Sequence, residues 1–262
     1  MKPAIILSFV FSLMFTDAAS SIDETPDFPE IKIYIPKGEY KNLRESTGEK
    51  TELSHPVMLI NEDTAKVKEI HARGNNSLRF QRKSLSVELD KSFKLKTDKG
   101  KISLKKFNLL NLVMDKNLWH NRWSDLNLEK IGLLPLFHTY CKLWINNEPQ
   151  GFFLLIEKPQ EARGKLDSPY MLRRGPEHSI SDEYFNDEDK ESAKKYRKQF
   201  QSIYSSIHTL SGDALVTQLE TLINLDNYFH FIAFNYLIMN GDYADEVFLY
   251  IEPKNKRFEV IP

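Results

Sequence analysis

The first half of the chain alternates between apolar and polar residues, which is the pattern of strands with one buried face. In Ile31-Lys32-Ile33-Tyr34-Ile35, every second residue is apolar. Similar short runs follow, and Gly74-Asn75-Asn76 has the composition of a turn between two of them. The pattern predicts a β-rich region with further strands at Met58–Ile60, Ala65–Ala72 and Ser84–Leu89.

The spacing of apolar residues along the chain changes after Asp115. Apolar residues between Leu118 and Leu128 recur at a spacing closer to helical, and Gly132 marks the end of this run. Two apolar runs come next, separated by Asn146–Gly151, whose composition suits a hairpin connection. The pattern therefore predicts a helix and then a hairpin of strands Lys142–Ile145 and Phe152–Glu157.

The chain from Asp187 to Met239 is helical in period. A last helix is expected to begin near Asp226, and we interpret the apolar stripe along it as a core-facing side. The helix leads to a turn at Asn240-Gly241-Asp242 and a strand at Val247–Ile251. The stripe consists of Phe229, Ile232, Ala233, Tyr236 and Leu237.

The first 20 residues resemble a secretory signal peptide. Lys2 gives a positive start, Ala4–Phe15 is apolar apart from two serines, and Ala18-Ala19-Ser20 offers small residues for cleavage. An uncleaved membrane anchor is the weaker alternative, because about 20 apolar residues are needed to span a bilayer. We expect a secreted, extracytoplasmic protein, with residues 21–30 as a linker and no membrane partner after cleavage.

Composition limits the remaining possibilities. The chain has 262 residues, of which 41% are hydrophobic, enough for one large core. Its net charge of -1 gives no global attraction to nucleic acid, and we expect no nucleic-acid partner. Cys141 is the only cysteine, so no intramolecular disulfide can form, and we interpret it as a small buried hydrophobic residue.

A local excess of positive charge lies between Lys66 and Lys106, a segment with 13 Lys or Arg residues and only four Asp or Glu. Alternating strands that expose charges on their wet face would explain it equally well. A phosphate site is favoured by the turn after Arg73, which can offer backbone N–H groups, and by Lys83 at the start of a strand. The standard phosphate-binding glycine motifs are absent from the sequence.

Three carboxylates, Asp242, Asp245 and Glu246, crowd the turn after the last helix. They could hold a divalent metal ion and accept a hydroxyl proton from a phosphate acceptor. The alternative is an ordinary polar turn, which acidic residues also favour. The sequence contains neither a His/Cys pair at zinc spacing nor a serine-hydrolase elbow motif.

Four blocks in the mature chain together resemble the spore coat protein H (CotH) kinase family. The third block, which ends in Phe152-Phe153-Leu154-Leu155-Ile156-Glu157-Lys158, is the most specific. The blocks are Arg73-Gly74-Asn75-Asn76-Ser77 with Arg82-Lys83, Leu109–Lys116 with Asn121-Arg122, Trp144–Lys158, and Asn235–Asp242 with Phe248–Tyr250 and Phe258–Pro262.

The resemblance implies an α+β, atypical protein-kinase-like fold of two lobes over residues 31–262. The β-rich lobe would cover about 31–160 and the helical lobe about 161–262. ATP with Mg or Mn would be the cofactor. Arg73 and Lys83 would face the phosphates, Glu157 would lie near the nucleotide cleft, Asp242 would be the catalytic aspartate, and Asp242 and Glu246 would hold the metal.

Two departures from the family pattern affect the expected activity. Asp245-Glu246 stands where the family usually has an asparagine, and the family continues beyond the equivalent of Pro262 into a metal-binding Trp-Asp segment. We expect an exported kinase that phosphorylates Ser or Thr of a protein at the cell or spore surface. The alternative is a truncated, catalytically inactive relative that serves as a binding or structural module.

Overall fold

The structure is a computed structural model that describes residues 28–48, 50–97, 100–241 and 247–262. Two β-sheets organise these residues, and three long helices pack on the second sheet. The proposed signal peptide and most of the linker lie outside the described residues. Within the described ranges, no helix is long and apolar enough to cross a membrane.

The first sheet has eight strands in the order β3-β2-β1-β7-β8-β6-β5-β4. All neighbours pair antiparallel except β1 and β7, which run parallel. Its strands are β1 (Glu30–Tyr34), β2 (Val57–Ile60), β3 (Asp63–Ala65), β4 (Val67–Arg73), β5 (Ser84–Thr97), β6 (Gly100–Leu110), β7 (His138–Ile145) and β8 (Glu148–Glu157).

This sheet curls around its own core. The strands at the two ends of its order, β3 and β4, are consecutive in the chain and separated only by Lys66. The outer edge of β4 also pairs with the segment before β2, through a bridge between Glu52 and His71. Alternation then gives an inner face of buried apolar side chains and an outer, more polar face. The inner face includes Ile31, Ile33, Ile70, Leu85, Val87, Phe107, Leu109, Cys141, Phe153 and Leu155.

Three helices lie between or directly after strands of the first sheet. α1 follows β1, α2 lies between β6 and β7, and α3 follows β8 directly. Gly132 ends the α2 region with φ of 75°, the left-handed conformation expected of a glycine at a helix end. The bounds are α1 (Lys37–Glu45), α2 (His120–Leu128) and α3 (Pro159–Lys165).

The second sheet has four antiparallel strands in the order β10-β9-β11-β12. One of its faces packs on helices α4 and α6, through a cluster that includes Leu172, Phe200, Phe231 and Phe258. The elements are β9 (Met171–Arg174), β10 (Ile180–Tyr184), α4 (Lys190–Thr209), α5 (Gly212–Leu222), α6 (Leu225–Leu237), β11 (Phe248–Ile251) and β12 (Phe258–Ile261).

The other face of the second sheet meets the outer face of the first. Met171, Tyr250 and Ile261 form a buried cluster there, and Ile156 of β8 packs against it. Ile156 is paired with Asn108 on the outer face. Its side chain points the opposite way to that of its neighbour Leu155, which belongs to the inner core. The two sheets are therefore joined beside the end of β8, where the chain passes into α3.

Several sequence-based expectations need correction. The second half is not purely helical, because β9 and β10 precede α4 and were not predicted. Helix α1 and strand β6 were also missed. The stripe assigned to the core of α6 is largely solvent-exposed: Phe229 is 58% and Tyr236 82% exposed, whereas Phe231 is only 4% exposed. The predicted hairpin, the α2 region and the burial of Cys141 are confirmed.

Candidate functional site: the outer polar face of the first sheet

Cross-strand pairing brings a set of polar residues together on the outer face. His71 pairs with Ser86, Ser86 pairs with Asn108, and Asn108 pairs with Ile156 at the junction with the second sheet. Residues directly opposite on neighbouring strands point to the same face. We call this set the outer polar face; its members are Glu69, His71, Arg73, Ser84, Ser86, Glu88, Lys106, Asn108 and Lys158.

Lys158 is the most unusual cation on this face. Its amine donates a hydrogen bond to Ser86 Oγ at 2.6 Å and makes no ion pair with a carboxylate in the described ranges. Burial lowers the pKa of Lys158, and the positive charges of Arg73 and Lys106 lower it further, against Glu69 and Glu88. A partly desolvated cation held beside other cations is a favourable contact for an anion.

Lys106 of β6 accepts the backbone N–H of Lys158 at its carbonyl, and its own side chain is already paired with Glu88. Its amine is 3.3 Å from Glu88, whose other oxygen accepts a hydrogen bond from Lys68 at 2.7 Å. Burial would raise the pKa of Glu88, but the hydrogen bonds from Lys68 and Lys106 outweigh it, and the pKa is lowered. Glu88 therefore remains an anion and neutralises Lys106 in part, while Lys158 forms no ion pair with a carboxylate of the described residues.

Arg73 ends β4 on the same face, paired in register with Ser84. The chain turns at once through Gly74, whose φ of 106° is unfavourable for residues with a side chain. A Cβ at this glycine would also lie 1.9 Å from Ser77 Oγ. The hydroxyl of Ser77 donates to the carbonyl of Arg73 at 3.3 Å, which closes the turn. The block from Arg73 to Ser77 thus forms a tight turn beside the polar face.

Lys83 does not lie on this face. It precedes Ser84 and points to the inner side, where it is only 4% exposed. Its amine donates to the carbonyls of Ser46 and of Leu78, the latter at 2.6 Å. Burial lowers the pKa of Lys83. The structure therefore places Lys83 as a link between the end of α1, the turn before β5 and the sheet, on the side opposite Ser84.

Glu157 also points inward, opposite to its neighbour Lys158. Its carboxylate is 4% exposed, accepts the N–H of Phe137 at 2.7 Å and is bonded to Lys165 of α3. These contacts fix the start of β7 and the helix that follows β8. Lys83 and Glu157 form no ion pair, because Glu157 is satisfied by Lys165 and Lys83 by backbone carbonyls. Glu157 therefore supports the junction of β7, β8 and α3.

The predicted catalytic segment can be located only through its flanks. Asp242, Asp245 and Glu246 lie outside the described residues. On one side, α6 ends at Leu237; on the other, the carbonyl of Val247 accepts a hydrogen bond from the N–H of Arg174 at 2.9 Å. Among the described residues, no group of three or more His, Cys, Asp or Glu could hold a metal ion.

Asp115 and Asn121, both from the second of the four family blocks, hold the start of helix α2. Asp115 is buried, and its Oδ2 accepts the backbone N–H of Asn121 at 3.2 Å and its side-chain amide at 3.3 Å. Burial would raise the pKa of Asp115, but these hydrogen bonds outweigh it, and the pKa is lowered. The carboxylate thus caps the first turn of α2 from outside the helix. The guanidinium of Arg122 in that helix lies 5.2 Å from the ring centre of Tyr140.

Comparison with known proteins agrees with this arrangement of blocks. The family model described as CotH kinase protein matches residues 70–262, which is most of the chain. The chain belongs to the CotH kinase family. The CotH match begins in β4, just before the Arg73 turn, and includes both Lys158 and the predicted catalytic segment. A search of curated proteins found no match.

Sequence reasoning missed Lys158 and Lys106 as candidate ligands of the CotH domain. Lys158 was within the most specific block, and strand alternation already assigned it to the face opposite Glu157. What the sequence did not indicate was which face of β8 would meet the second sheet. That depends on Ile156 packing against Met171, Tyr250 and Ile261, a contact between distant parts of the chain.

Proposed function

We propose that this chain is an exported, CotH-type protein kinase whose ATP phosphates bind at the outer polar face. The observation that carries the proposal is the partly desolvated amine of Lys158, held at Ser86 between Arg73 and Lys106. Three cations around one point suit a polyphosphate better than a neutral or cationic ligand. The proposal moves the main lysine contact from Lys83 to Lys158.

The order of elements supports a kinase-like lobe. In protein kinases, a glycine-containing loop covers the phosphates, the third strand carries a lysine that contacts them, and a helix follows. Here the Gly74 turn joins β4 to β5. Lys106 lies on β6, which is the third strand when β4 is counted as the first, and helix α2 follows. Arg73, Lys106 and Lys158 would hold the phosphates, and Asp242 and Glu246 would hold Mg or Mn.

When bound, ATP supplies the γ-phosphoryl group that is transferred. The chain's own contribution would be electrostatic: cations at the phosphates and a carboxylate, Asp242, that accepts the proton of the Ser or Thr hydroxyl. The acceptor would be a protein at the cell or spore surface, consistent with the signal-peptide-like start of the chain.

A second candidate is a noncatalytic CotH-like module. The observation that favours it is the engagement of Lys83 with two carbonyls and of Glu157 with Lys165, which leaves no lysine–glutamate pair of the protein-kinase type between them. Such a protein would keep the fold and the polar face but would not transfer phosphate. Nucleotide binding alone would not separate the two candidates, whereas phosphoryl transfer would.

Replacement of Lys158 by methionine tests the phosphate site. Because charge-assisted hydrogen bonds contribute about 1.5–3 kcal/mol, we expect Lys158→Met to weaken ATP binding about 10- to 100-fold. Titration calorimetry with MgATP measures this. Lys142→Met removes an exposed lysine from β7 and is expected to leave the affinity unchanged.

The Lys83→Met variant distinguishes the role of Lys83 from that of Lys158. Because it leaves the carbonyls of Ser46 and Leu78 without their donor, it should lower the thermal stability. The folded variant should still bind MgATP within about twofold of the original affinity. Loss of ATP binding in a folded Lys83→Met protein, with normal binding by Lys158→Met, would overturn our placement of the phosphates.

A further inference from the structure

A cavity of about 450 Å³ lies away from the outer polar face, at the end of the first sheet next to α2. Such a volume is within the range of small-molecule sites. Its described walls come from α2, the segment 135–139, the β5–β6 hairpin and the end of β8. Apolar side chains line part of it, namely Ile102, Leu126, Leu136 and Phe137.

Asp125 of α2 is a cavity-lining carboxyl without a hydrogen-bond donor among the described residues. The nearest nitrogen in an ion-pair contact with it is His138 Nδ1, at 3.9 Å. That nitrogen is 3.0 Å from the carbonyl of Leu136, which accepts its proton. Burial raises the pKa of Asp125 to about 7, against the positive charge of Arg122. A carboxyl in this state gains from any donor that enters the cavity.

Arg122 lies one helical turn before Asp125 and lines the same cavity. Its Nη1 is buried without a hydrogen-bond partner, and the guanidinium forms no ion pair with a described carboxylate. The ring of Tyr140 lies near one side of it. Residues three apart on a helix are neighbours, yet Arg122 and Asp125 do not come within ion-pair distance of each other.

The wall of the cavity therefore carries a guanidinium and a carboxyl one helical turn apart, next to apolar side chains. A buried polar group without a hydrogen bond costs free energy, and a ligand that carries both a donor and an acceptor would provide a partner for the carboxyl and for the guanidinium. We propose that this cavity binds a small zwitterion of the α-amino-acid type, with its ammonium at Asp125, its carboxylate at Arg122 and an apolar side chain against Leu126 and Leu136.

Other charged groups at the cavity do not change this assignment. Glu157 is already bonded to Lys165 and to the N–H of Phe137. Glu129 and Lys101 are exposed and carry opposite charges. The site shares no cation with the outer polar face, so it does not depend on the proposed kinase function.

Three matched probes test the proposal on the purified chain: L-leucine, isoamylamine, which lacks the carboxylate, and 4-methylpentanoate, which lacks the ammonium. Titration calorimetry, with tryptophan fluorescence as a second signal, gives the three affinities. We expect leucine to bind at least about tenfold more tightly than either analogue, because each charged hydrogen bond contributes to affinity.

Two variants assign the charges. Asp125→Asn should abolish the preference for leucine over 4-methylpentanoate, and Arg122→Gln should abolish the preference over isoamylamine. Lys130→Gln, at an exposed position outside the cavity lining, should change neither. Equal binding of leucine and isoamylamine would indicate a simple cation site and overturn the proposal. Absence of binding by all three probes at 10 mM, a concentration on the order of the weakest specific affinities, would also overturn it.

Discussion

Adjacent residues can carry separate tasks when a strand has one inner and one outer face. Glu157 points inward and ties β7 to α3, whereas Lys158 points outward and presents its amine at Ser86. The same alternation separates Lys83 from Ser84. The residue types in the CotH blocks could be read from the sequence, but the side on which the second sheet packs decides which of two neighbours reaches it.

Asp125 gives a residue-scale prediction about pH. Its folded pKa, about 7, is above the ordinary value of 3.8, so the folded state binds the proton more tightly. The stabilisation is complete below about pH 4 and is lost as pH rises through about 7. Asp125→Asn should therefore gain up to about 4 kcal/mol in unfolding free energy relative to the original protein between pH 4 and pH 8.

Urea denaturation at several pH values measures this difference, and charges elsewhere cancel in the comparison. Asp213→Asn, which changes an exposed acid on α5, serves as the control and should follow the original protein at every pH. A constant difference between Asp125→Asn and the original protein across this range would show that Asp125 is not held in a protonated state.

At the scale of elements, the β7–β8 hairpin and the presence of α6 were predictable, but the buried side of α6 was not. The hairpin joins two alternating strands through Asn146 and Asn147, both with positive φ, which asparagine tolerates well. Helix α6 carries apolar residues around its whole circumference, among them Leu225, Phe231, Phe234 and Leu237. A period can identify the buried side only when the other side is polar.

Two phenylalanines of α6 test the observed orientation. Phe231 is 4% exposed and belongs to the cluster under the second sheet, whereas Phe229 is 58% exposed. Phe231→Ala should lower the unfolding free energy by about 3–5 kcal/mol, as buried Phe truncations do. Phe229→Ala should change it by less than about 0.5 kcal/mol, and thermal or urea denaturation distinguishes the two. The reverse order would restore the sequence-based assignment of the stripe.

At the scale of the whole molecule, the sequence indicated a mixed α and β protein and the order of its main blocks. It did not indicate that eight strands would form one curled sheet or that β9 and β10 would join β11 and β12. Both depend on pairings between distant segments, such as β1 with β7, which local periodicity does not encode. The same limit applies to the site, because the junction at Ile156 brings together residues more than 90 positions apart.

The claim that this CotH-family protein is a kinase makes phosphoryl transfer the most direct measurement. The purified chain and its Asp242→Asn variant would be incubated with γ-labelled ATP and Mg or Mn, with circular dichroism to establish that both are folded. We expect label on the original protein and only background label on the variant. Two folded proteins that both stay unlabelled, or that are labelled equally, would contradict kinase activity through Asp242.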